Sequence, residues 1–228
     1  EVPDHQLEAF QASYGWPVMH AFNDVAQGKK AASVIDDILT RLRLEFPHGS
    51  NFLYMTSNHD ENSWNGTAFE RLGGGVEAFA VLSYVLDGIP LIYNGQEAGM
   101  DRRLAFFTRD PIDWREHRMF ALYQRLNELK ETHPALATGA ATLRIPTTED
   151  ESVYALMRIA EGRKVLLVAN LTARDFETDE DKDEAVYLGS EELAGTWRDA
   201  YTGEAMELGE NAAFSLQSWR YRLLLSVD

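Results

Sequence analysis

The chain has 228 residues, 45% of them hydrophobic, so it can bury a substantial core in one large domain or two modest ones. It contains no cysteine, which excludes disulfides and thiolate metal sites, and no run of 18 apolar residues that would span a membrane. Its formal net charge of −16, from 37 acidic and 21 basic residues, argues against nucleic acid and anionic membranes as partners.

The first half of the sequence predicts a helix followed by a strand. Residues 1–31 show no sustained period, because Gly15-Trp16-Pro17 interrupts the apolar spacing. Ala32–Glu45 has apolar side chains along one face, which predicts an amphipathic helix with Ser33 as its N-cap. Asn51–Ser57 is apolar or β-favouring on both faces and is therefore predicted to be a buried strand.

Three polar residues, Asn58, His59 and Asp60, directly follow that strand, and turn-forming residues come after them. A buried strand that ends in a polar cluster is typical of the edge where a parallel α/β sheet opens into its active site. The alternative interpretation is that Asp60 or Asn62 merely caps a helix.

A second helix and strand repeat this order. Residues 68–87 predict a helix, and Gly88–Glu97 is an apolar strand that again ends in polar residues. The glycines at 73–75 suggest either a phosphate cradle or close packing at a helix start. Neither a P-loop lysine nor a dinucleotide fingerprint accompanies them, which favours close packing.

Residues 98–116 predict an irregular loop, followed by a helix from about His117 to Glu131. We expect four apolar residues to anchor this loop: Phe106, Phe107, Ile112 and Trp114. The β/α order predicts a parallel sheet, but two or three strands are too few to bury or close one. A complete (β/α)8 barrel needs roughly 250 residues. We therefore expect the predicted parallel sheet to have an unpaired edge. This edge would be covered by a missing upstream half, by a second copy or by the rest of the chain.

After about residue 139 the apolar period changes to two, which predicts an antiparallel β-sandwich or barrel. The predicted strands are Ala141–Ile145, Ser152–Ile159, Lys164–Leu171, Thr196–Tyr201, Ala213–Leu216 and Trp219–Val227. We accordingly divide the chain into domains 1–134 and 135–228. The acidic run Asp175–Glu184 is interpreted as a solvated loop, because the spacing of a calcium-binding EF-hand is missing.

Three aromatic residues of this second part, Trp197, Tyr201 and Trp219, leave two interpretations open. They could stack on sugar rings, as in a carbohydrate-binding module. Their positions on predicted strands favour packing in the core instead.

Two strand ends carry a resemblance: Asn58-His59-Asp60 and Gly88-Ile89-Pro90-Leu91-Ile92-Tyr93-Asn94-Gly95-Gln96-Glu97. With the helix and the all-β tail that follow them, they resemble the alpha-amylase family of retaining glycoside hydrolases. The resemblance is strongest over Phe52–Thr67 and Gly88–Glu97, and the order of elements extends it over the whole chain. It implies α/β plus all-β structure, namely the C-terminal part of a (β/α)8 TIM barrel followed by an antiparallel β-sandwich domain.

The resemblance also implies a chemical role for each polar residue. By position, Asp60 would be the aspartate after strand seven that grips two hydroxyls of the sugar being cleaved and stabilises the transition state. His59 would hydrogen-bond the same sugar, and Asn58 would be a supporting residue that orients the turn. The implied activity is cleavage of α-glucosidic bonds in starch-type glucans with retention, and the implied partner is an α-glucan oligo- or polysaccharide.

Two other catalytic carboxylates of the family fall outside the matching motifs. The strand-four arginine–aspartate motif that carries the nucleophile has no counterpart here. Glu1 lies near the position of the acid/base, and Pro3 favours a place just after it. We therefore expect the chain alone to be inactive and to need the upstream half of the enzyme. No cofactor is expected in this segment, and calcium is expected in the upstream half.

Three other interpretations remain. An amylase-like transglycosylase or isomerase would carry the same motifs. A non-catalytic relative, such as a transporter heavy chain, would need a membrane span. A carbohydrate-binding protein would need exposed aromatic residues on the sandwich. The resemblance is to soluble, bacterial-type enzymes, for which export or a periplasmic location is an expectation.

Overall fold

A computed structural model describes residues 2–177 and 184–227, so Glu1 and most of the acidic run 175–184 lie outside the described residues. The first part of the chain alternates helices and short strands, in this order: α1 (Pro3–Glu8), β1 (Ala12–Tyr14), α2 (Trp16–Ala26), α3 (Val34–Glu45), β2 (Asn51–Met55), a π-helical turn (Glu61–Asn65), α4 (Ala68–Leu72), a 3-10 turn (Gly73–Gly75), α5 (Val76–Val85), β3 (Ile89–Leu91) and α6 (Arg118–Thr132).

The three strands of this part form a parallel sheet in the order β1-β2-β3, which confirms the predicted β/α arrangement. Leu53 in the central strand pairs with Tyr14 on one side and Ile89 on the other. Phe52 and Tyr54 of β2 point into the core that the surrounding helices share. Because all three strands are parallel, their carboxyl ends meet at one edge of the sheet, where Asn58, His59 and Asp60 follow β2.

Two predictions for the first 45 residues are wrong in detail. Gly15-Trp16-Pro17 follows the end of β1 and begins α2, a helix that the sequence did not predict, because proline is compatible with the first turn of a helix. Ser33 makes no capping hydrogen bond. The carboxylate of Asp36 binds the later part of the chain instead, accepting hydrogen bonds from Tyr154 Oη at 2.6 Å and Arg144 Nε at 3.0 Å.

The glycine run at 73–75 separates α4 from α5, so the predicted helix over 68–87 is two helices. The reason is close packing, as predicted. A Cβ atom on Gly74 would lie 2.5 Å from the indole of Trp219, and one on Gly75 would lie 2.9 Å from the same ring and from Phe79. Trp219 therefore packs against the barrel-side helices, which disfavours the interpretation that it binds sugar.

Replacing Gly75 by alanine is expected to destabilise the fold by about 1–3 kcal/mol, because the added methyl group overpacks a site with aromatic rings on two sides. Urea unfolding of the variant and the wild type measures the difference. Gly209→Ala is the matched control, since a Cβ there would meet only backbone atoms at 3.6 and 4.0 Å. A Gly75→Ala variant as stable as the wild type would refute the packing constraint.

The second part is an antiparallel β-structure, as predicted. After a 3-10 turn (Pro134–Leu136) come β4 (Ala141–Ile145), β5 (Val153–Ala160), β6 (Arg163–Asn170), β7 (Val186–Gly189), a 3-10 turn (Glu191–Leu193), β8 (Gly195–Asp199), β9 (Ala205–Leu208), β10 (Asn211–Phe214) and β11 (Tyr221–Ser226). Of these, β7 and β9 lie in segments where the sequence predicted no strand.

A six-stranded sheet in the order β4-β5-β6-β11-β8-β9 faces a two-stranded sheet, β10-β7. Alternate residues of β5 and β6 enter two different cores. Ala155, Met157 and Leu166 pack against the small sheet, in the sandwich core. Leu156 and Leu167 lie in the core that includes α2, α5 and α6. One face of the large sheet thus closes the sandwich, and the other covers the helices of the first part.

The open edge of the parallel sheet is not covered by the sandwich. Within the described residues, β1 and β3 each pair only with β2, and Ile89 in β3 is 41% exposed. The large sheet packs on the helices instead. The expectation that the rest of the chain folds back over the strand edge is therefore wrong, and the other two covers remain predictions.

Candidate active site

The end of β2 presents two polar side chains to solvent. The side chains of His59 and Asp60 are 55% and 44% exposed, and His59 Nε2 lies 3.6 Å from Asp60 Oδ2. An ionised carboxylate only accepts hydrogen bonds, and its two oxygens can accept from two neighbouring hydroxyls at once. The pair therefore offers a bidentate acceptor and an imidazole on the same open surface.

Asn58 has a different environment from its two neighbours, because its side chain is buried. Its Oδ1 accepts the backbone N–H of Glu61 at 2.8 Å, and its amide contacts the sulfur of Met55. Asn58 is thus the residue that caps the turn after β2, whereas Asp60 makes no capping hydrogen bond. The alternative interpretation, in which Asp60 or Asn62 is the cap, is wrong, and the Asp60 carboxylate stays available to a ligand.

A buried ionic layer, formed by Glu61 and Arg71, supports the turn that follows His59 and Asp60. The carboxylate of Glu61 is 5% exposed and accepts a hydrogen bond from Asn65 at 2.9 Å, with Arg71 Nη1 at 3.9 Å. Arg71 donates to the backbone oxygens of Thr56 and Gly66 and to Asn23. Burial lowers the pKa of Arg71, and the carboxylates of Glu61 and Glu70 act in the opposite direction. This layer fixes the turn on which Asp60 lies.

Sequence reasoning missed Glu61 and Arg71 as supports of the site. Glu61 lies in a stretch rich in turn formers and Arg71 on the predicted helix over residues 68–87, and charged residues in such places are usually solvated. Burying two opposite charges becomes favourable only once tertiary contacts supply enough hydrogen bonds, and those contacts come from distant parts of the chain. Apart from their separation by ten residues, nothing in the local sequence indicated that Glu61 and Arg71 form an ion pair.

The end of β3 lies beside that of β2 and is joined to it by Gln96. The Gln96 amide donates to Thr56 Oγ1 at 2.7 Å, and its oxygen accepts the N–H of Tyr93 at 2.6 Å. Glu97 accepts the N–H of Gly95, which closes the turn locally. The second polar strand end predicted from the sequence therefore stabilises the sheet edge rather than presenting Gln96 to solvent.

The loop after β3 reaches back over the turn that follows β2. Asn62 accepts the N–H of Leu104 at 2.8 Å and donates to the oxygen of Arg102 at 3.2 Å. Arg102 forms a two-pronged ion pair with Asp110, with Nη1 2.7 and 2.8 Å from the two oxygens. Polar contacts thus hold this loop. The prediction that apolar residues anchor this loop holds for Phe106, whose ring centroid lies 5.3 Å from that of Trp64, but not for Trp114, which is 58% exposed.

The aromatic residues of the sandwich divide between the two interpretations. Trp197 is buried, and its Nε1 donates to the oxygen of Leu193 at 2.7 Å. Tyr201 is 39% exposed and packs edge-on against Tyr221, 5.9 Å away. Core packing is confirmed for Trp197, and with Trp219 packed on Gly74 the sandwich presents no flat row of these three rings.

The described residues also bear on metal binding and on membrane insertion. Among the described residues, no group of three or more histidine, aspartate or glutamate side chains could hold a metal ion. In the same part of the chain, no helix is long and apolar enough to cross a membrane.

Two curated proteins resemble this chain in sequence. It is 28% identical over 176 residues to "Alpha-amylase MalA" of Haloarcula japonica, which covers 74% of this chain and 25% of that protein. It is 26% identical over 200 residues to "Alpha-amylase 2" of Dictyoglomus thermophilum, covering 79% of this chain and 31% of that protein. The chain thus spans less than a third of the curated relatives it matches. No protein-family model matches it.

Solved structures show the same fold. The noncanonic maltogenic alpha-amylase AmyB from Thermotoga neapolitana superposes with a TM-score of 0.81 at 18% identity, over 98% of this chain and 52% of that one. AmyP in complex with maltose superposes with a TM-score of 0.69 at 19% identity, over 95% of this chain and 50% of that one. The chain is thus similar in sequence to two alpha-amylases, and its fold corresponds to the C-terminal half of alpha-amylase structures, the end of their (β/α)8 barrel and the β-sandwich after it.

Proposed function

We propose that this chain is the C-terminal half of an amylase-like glycoside hydrolase that cleaves α-glucosidic bonds of starch-type glucans with retention. The observation that carries this proposal is the position of Asp60, a half-exposed carboxylate at the carboxyl end of β2, beside His59 and on a buried ionic layer. In barrel enzymes, residues at the carboxyl ends of the strands carry the chemistry.

Asp60 would act by binding the transition state rather than by transferring a proton. Retaining cleavage passes through an oxocarbenium-like state between a nucleophile and an acid about 5–5.5 Å apart. The carboxylate accepts hydrogen bonds from two ring hydroxyls, and these bonds become stronger as the ring flattens in the transition state. Its negative charge also stabilises the positive charge that develops on the sugar. His59 would donate or accept one further hydrogen bond to the same sugar. Asn58, by capping the turn, would fix the direction of both side chains.

The nucleophile and the acid/base would come from the upstream half of the parent enzyme. That half would also cover the free edges of β1 and β3 and would hold calcium if the parent binds it. A second copy of the chain is the other cover we consider. The alternative activity is transglycosylation or isomerisation, which uses the same nucleophile and differs in the acceptor that enters the second step.

The anomer of the first product tests the proposed mechanism. We expect the parent enzyme to release the α-anomer from maltoheptaose, because the two displacements at the anomeric carbon each invert it and together restore its configuration. Proton NMR, recorded before the product mutarotates, identifies the anomer. The 228-residue chain alone is the control and is expected to show no turnover. Release of the β-anomer would contradict retention, and turnover by the chain alone would contradict the assignment of the nucleophile to the upstream half. New, longer oligosaccharides in place of glucose and maltose would favour the transglycosylase.

A further inference from the structure

His117 precedes the first residue of α6, and its imidazole acts there as a hydrogen-bond acceptor. Its backbone is extended, and its Nδ1 accepts the backbone N–H of Met119 at 3.3 Å. The first N–H groups of a helix have no partner within the helix, so a side-chain acceptor at this position stabilises the helix. Both nitrogens of a charged imidazole are donors, and only the neutral ring can accept. This cap therefore requires a deprotonated histidine.

The same imidazole packs against the turn that follows β3. A Cβ atom on Gly99 would collide with the ring, so the ring lies directly on the backbone of that turn. The ring of Phe69, in α4, meets the imidazole edge-on with the centroids 6.2 Å apart. Arg115 donates to two backbone oxygens of the turn, at 3.3 and 3.0 Å. His117 thus lies where α4, α6 and the end of β3 meet.

The charges around His117 oppose its protonation. Partial burial, followed by the charges of Arg118 and Arg115, lowers the pKa of the His117 imidazole. The positive end of the helix dipole of α6 lies at the same place. Glu77 acts in the opposite direction, but its carboxylate already forms an ion pair with Arg118 Nε at 2.5 Å. The other charged residues that line the cleft beside the imidazole are Glu97 and Glu116.

We propose that His117 is an acid-sensitive cap, which holds the start of α6 against the turn after β3 while its imidazole is neutral and loses this contact when it is protonated. A charged ring cannot accept the N–H of Met119, and it places a third positive charge beside Arg115 and Arg118. The segments that loosen are the first turn of α6 and residues 95–100. The inference is separate from the proposed function, because it concerns a contact within the chain and not the bond that is cleaved.

The direction of the pH effect follows from proton binding. The pKa of His117 is lowered in the folded chain, whereas a histidine of the unfolded chain titrates near about 6.5. Below that pH the unfolded chain binds a proton that the folded chain does not, so acid favours unfolding. The contribution of the neutral cap is therefore complete above about pH 6.5 and is lost as the pH falls towards the folded pKa.

Urea unfolding of the chain at about pH 7.5 and about pH 5 tests the cap. Asparagine also caps helices but does not titrate, so His117→Asn keeps an acceptor at both pH values. Between the two pH values, we expect the urea midpoint of the wild type to fall by about 0.5 M more than that of His117→Asn. His48→Asn is the matched control, because His48 is an exposed histidine in the loop before β2, and it should follow the wild type.

Equal pH-dependent changes in the midpoints of His117→Asn and the wild type would overturn the proposal. Proton NMR of the wild-type chain gives a second test, which does not depend on the folding of a variant. We expect the His117 imidazole to titrate below about 6.5, and the amide of Met119 to lose protection from hydrogen exchange as the ring becomes charged. An imidazole pKa at or above about 6.5 would also overturn the proposal, because the surrounding carboxylates would then stabilise the charged ring.

Discussion

Asp60→Asn in the parent enzyme is expected to lower kcat by a factor on the order of 10²–10³, the loss typical of removing one preorganised group that stabilises transition-state charge. The substitution keeps the shape of the side chain but replaces a charged oxygen acceptor by an amide donor. Interactions made only in the transition state reduce kcat and kcat/KM together, so KM should change little. Steady-state kinetics with a chromogenic maltooligosaccharide measure both constants.

The stability of this variant should stay close to that of the wild type, because the Asp60 side chain is 44% exposed and makes no capping hydrogen bond. Asp113→Asn is a suitable control, since Asp113 is an exposed carboxylate in the loop after β3. We expect that control to retain full activity. An Asp60→Asn enzyme with near-normal kcat would remove Asp60 from the chemistry and would require another carboxylate in its place.

Arg158→Met should destabilise the chain by about 2–3 kcal/mol, because a buried acceptor that loses its donor costs about 1–3 kcal/mol, whereas the 34% exposed side chain of Asp87 can be solvated. Arg158 is fully buried on β5 and donates to the carboxylate of Asp87 at 2.9 Å and to the backbone oxygen of Val85 at 2.9 Å. It also donates to the oxygens of Ala137 and Ala140. The hydrogen bonds of one guanidinium thus connect the large sheet to the end of α5 and to the segment before β4. Denaturant unfolding measures the loss.

The matched control is Arg220→Met, which removes an exposed arginine near β11 and is expected to change stability by less than about 0.5 kcal/mol. A double-mutant cycle with Asp87→Asn separates the charge pair from the bonds to backbone oxygens. If Arg158→Met unfolded at the same denaturant concentration as the control, the junction between the two parts of the chain would depend on apolar contacts alone.

The sequence predicted the elements with a clear period and failed where tertiary contacts decide. The helix ending at Glu45 and the strand beginning at Asn51 are confirmed because each has a strong local pattern. The strands β7 and β9 have four residues each, too few for alternation to stand out, and they form because neighbouring strands pair with them. Proline misled the prediction at α2, since the same residue can interrupt a helix or begin one.

For the candidate site, the sequence predicted which residues end the strand but not what surrounds them. Asn58, His59 and Asp60 are all polar, and nothing in their types distinguishes the buried cap from the two exposed side chains. The burial of Glu61 depends on Arg71, which reaches it from a separate helix. The aromatic loop residues were expected to anchor their loop, because large apolar side chains are usually packed. Their exposure follows from the polar anchoring by Asn62 and Asp110.

The large β-sheet has apolar side chains on both faces, and this limits how the gene can be cut and recombined. A C-terminal domain that enclosed its whole core could be deleted from a gene or exchanged between genes as a separate unit. Here, severing the chain near residue 135 would leave Leu156 and Leu167 facing water on one fragment and α5 uncovered on the other. Chimeras made from related genes should therefore be joined upstream of α2, so that the last barrel strands and the sandwich are transferred together.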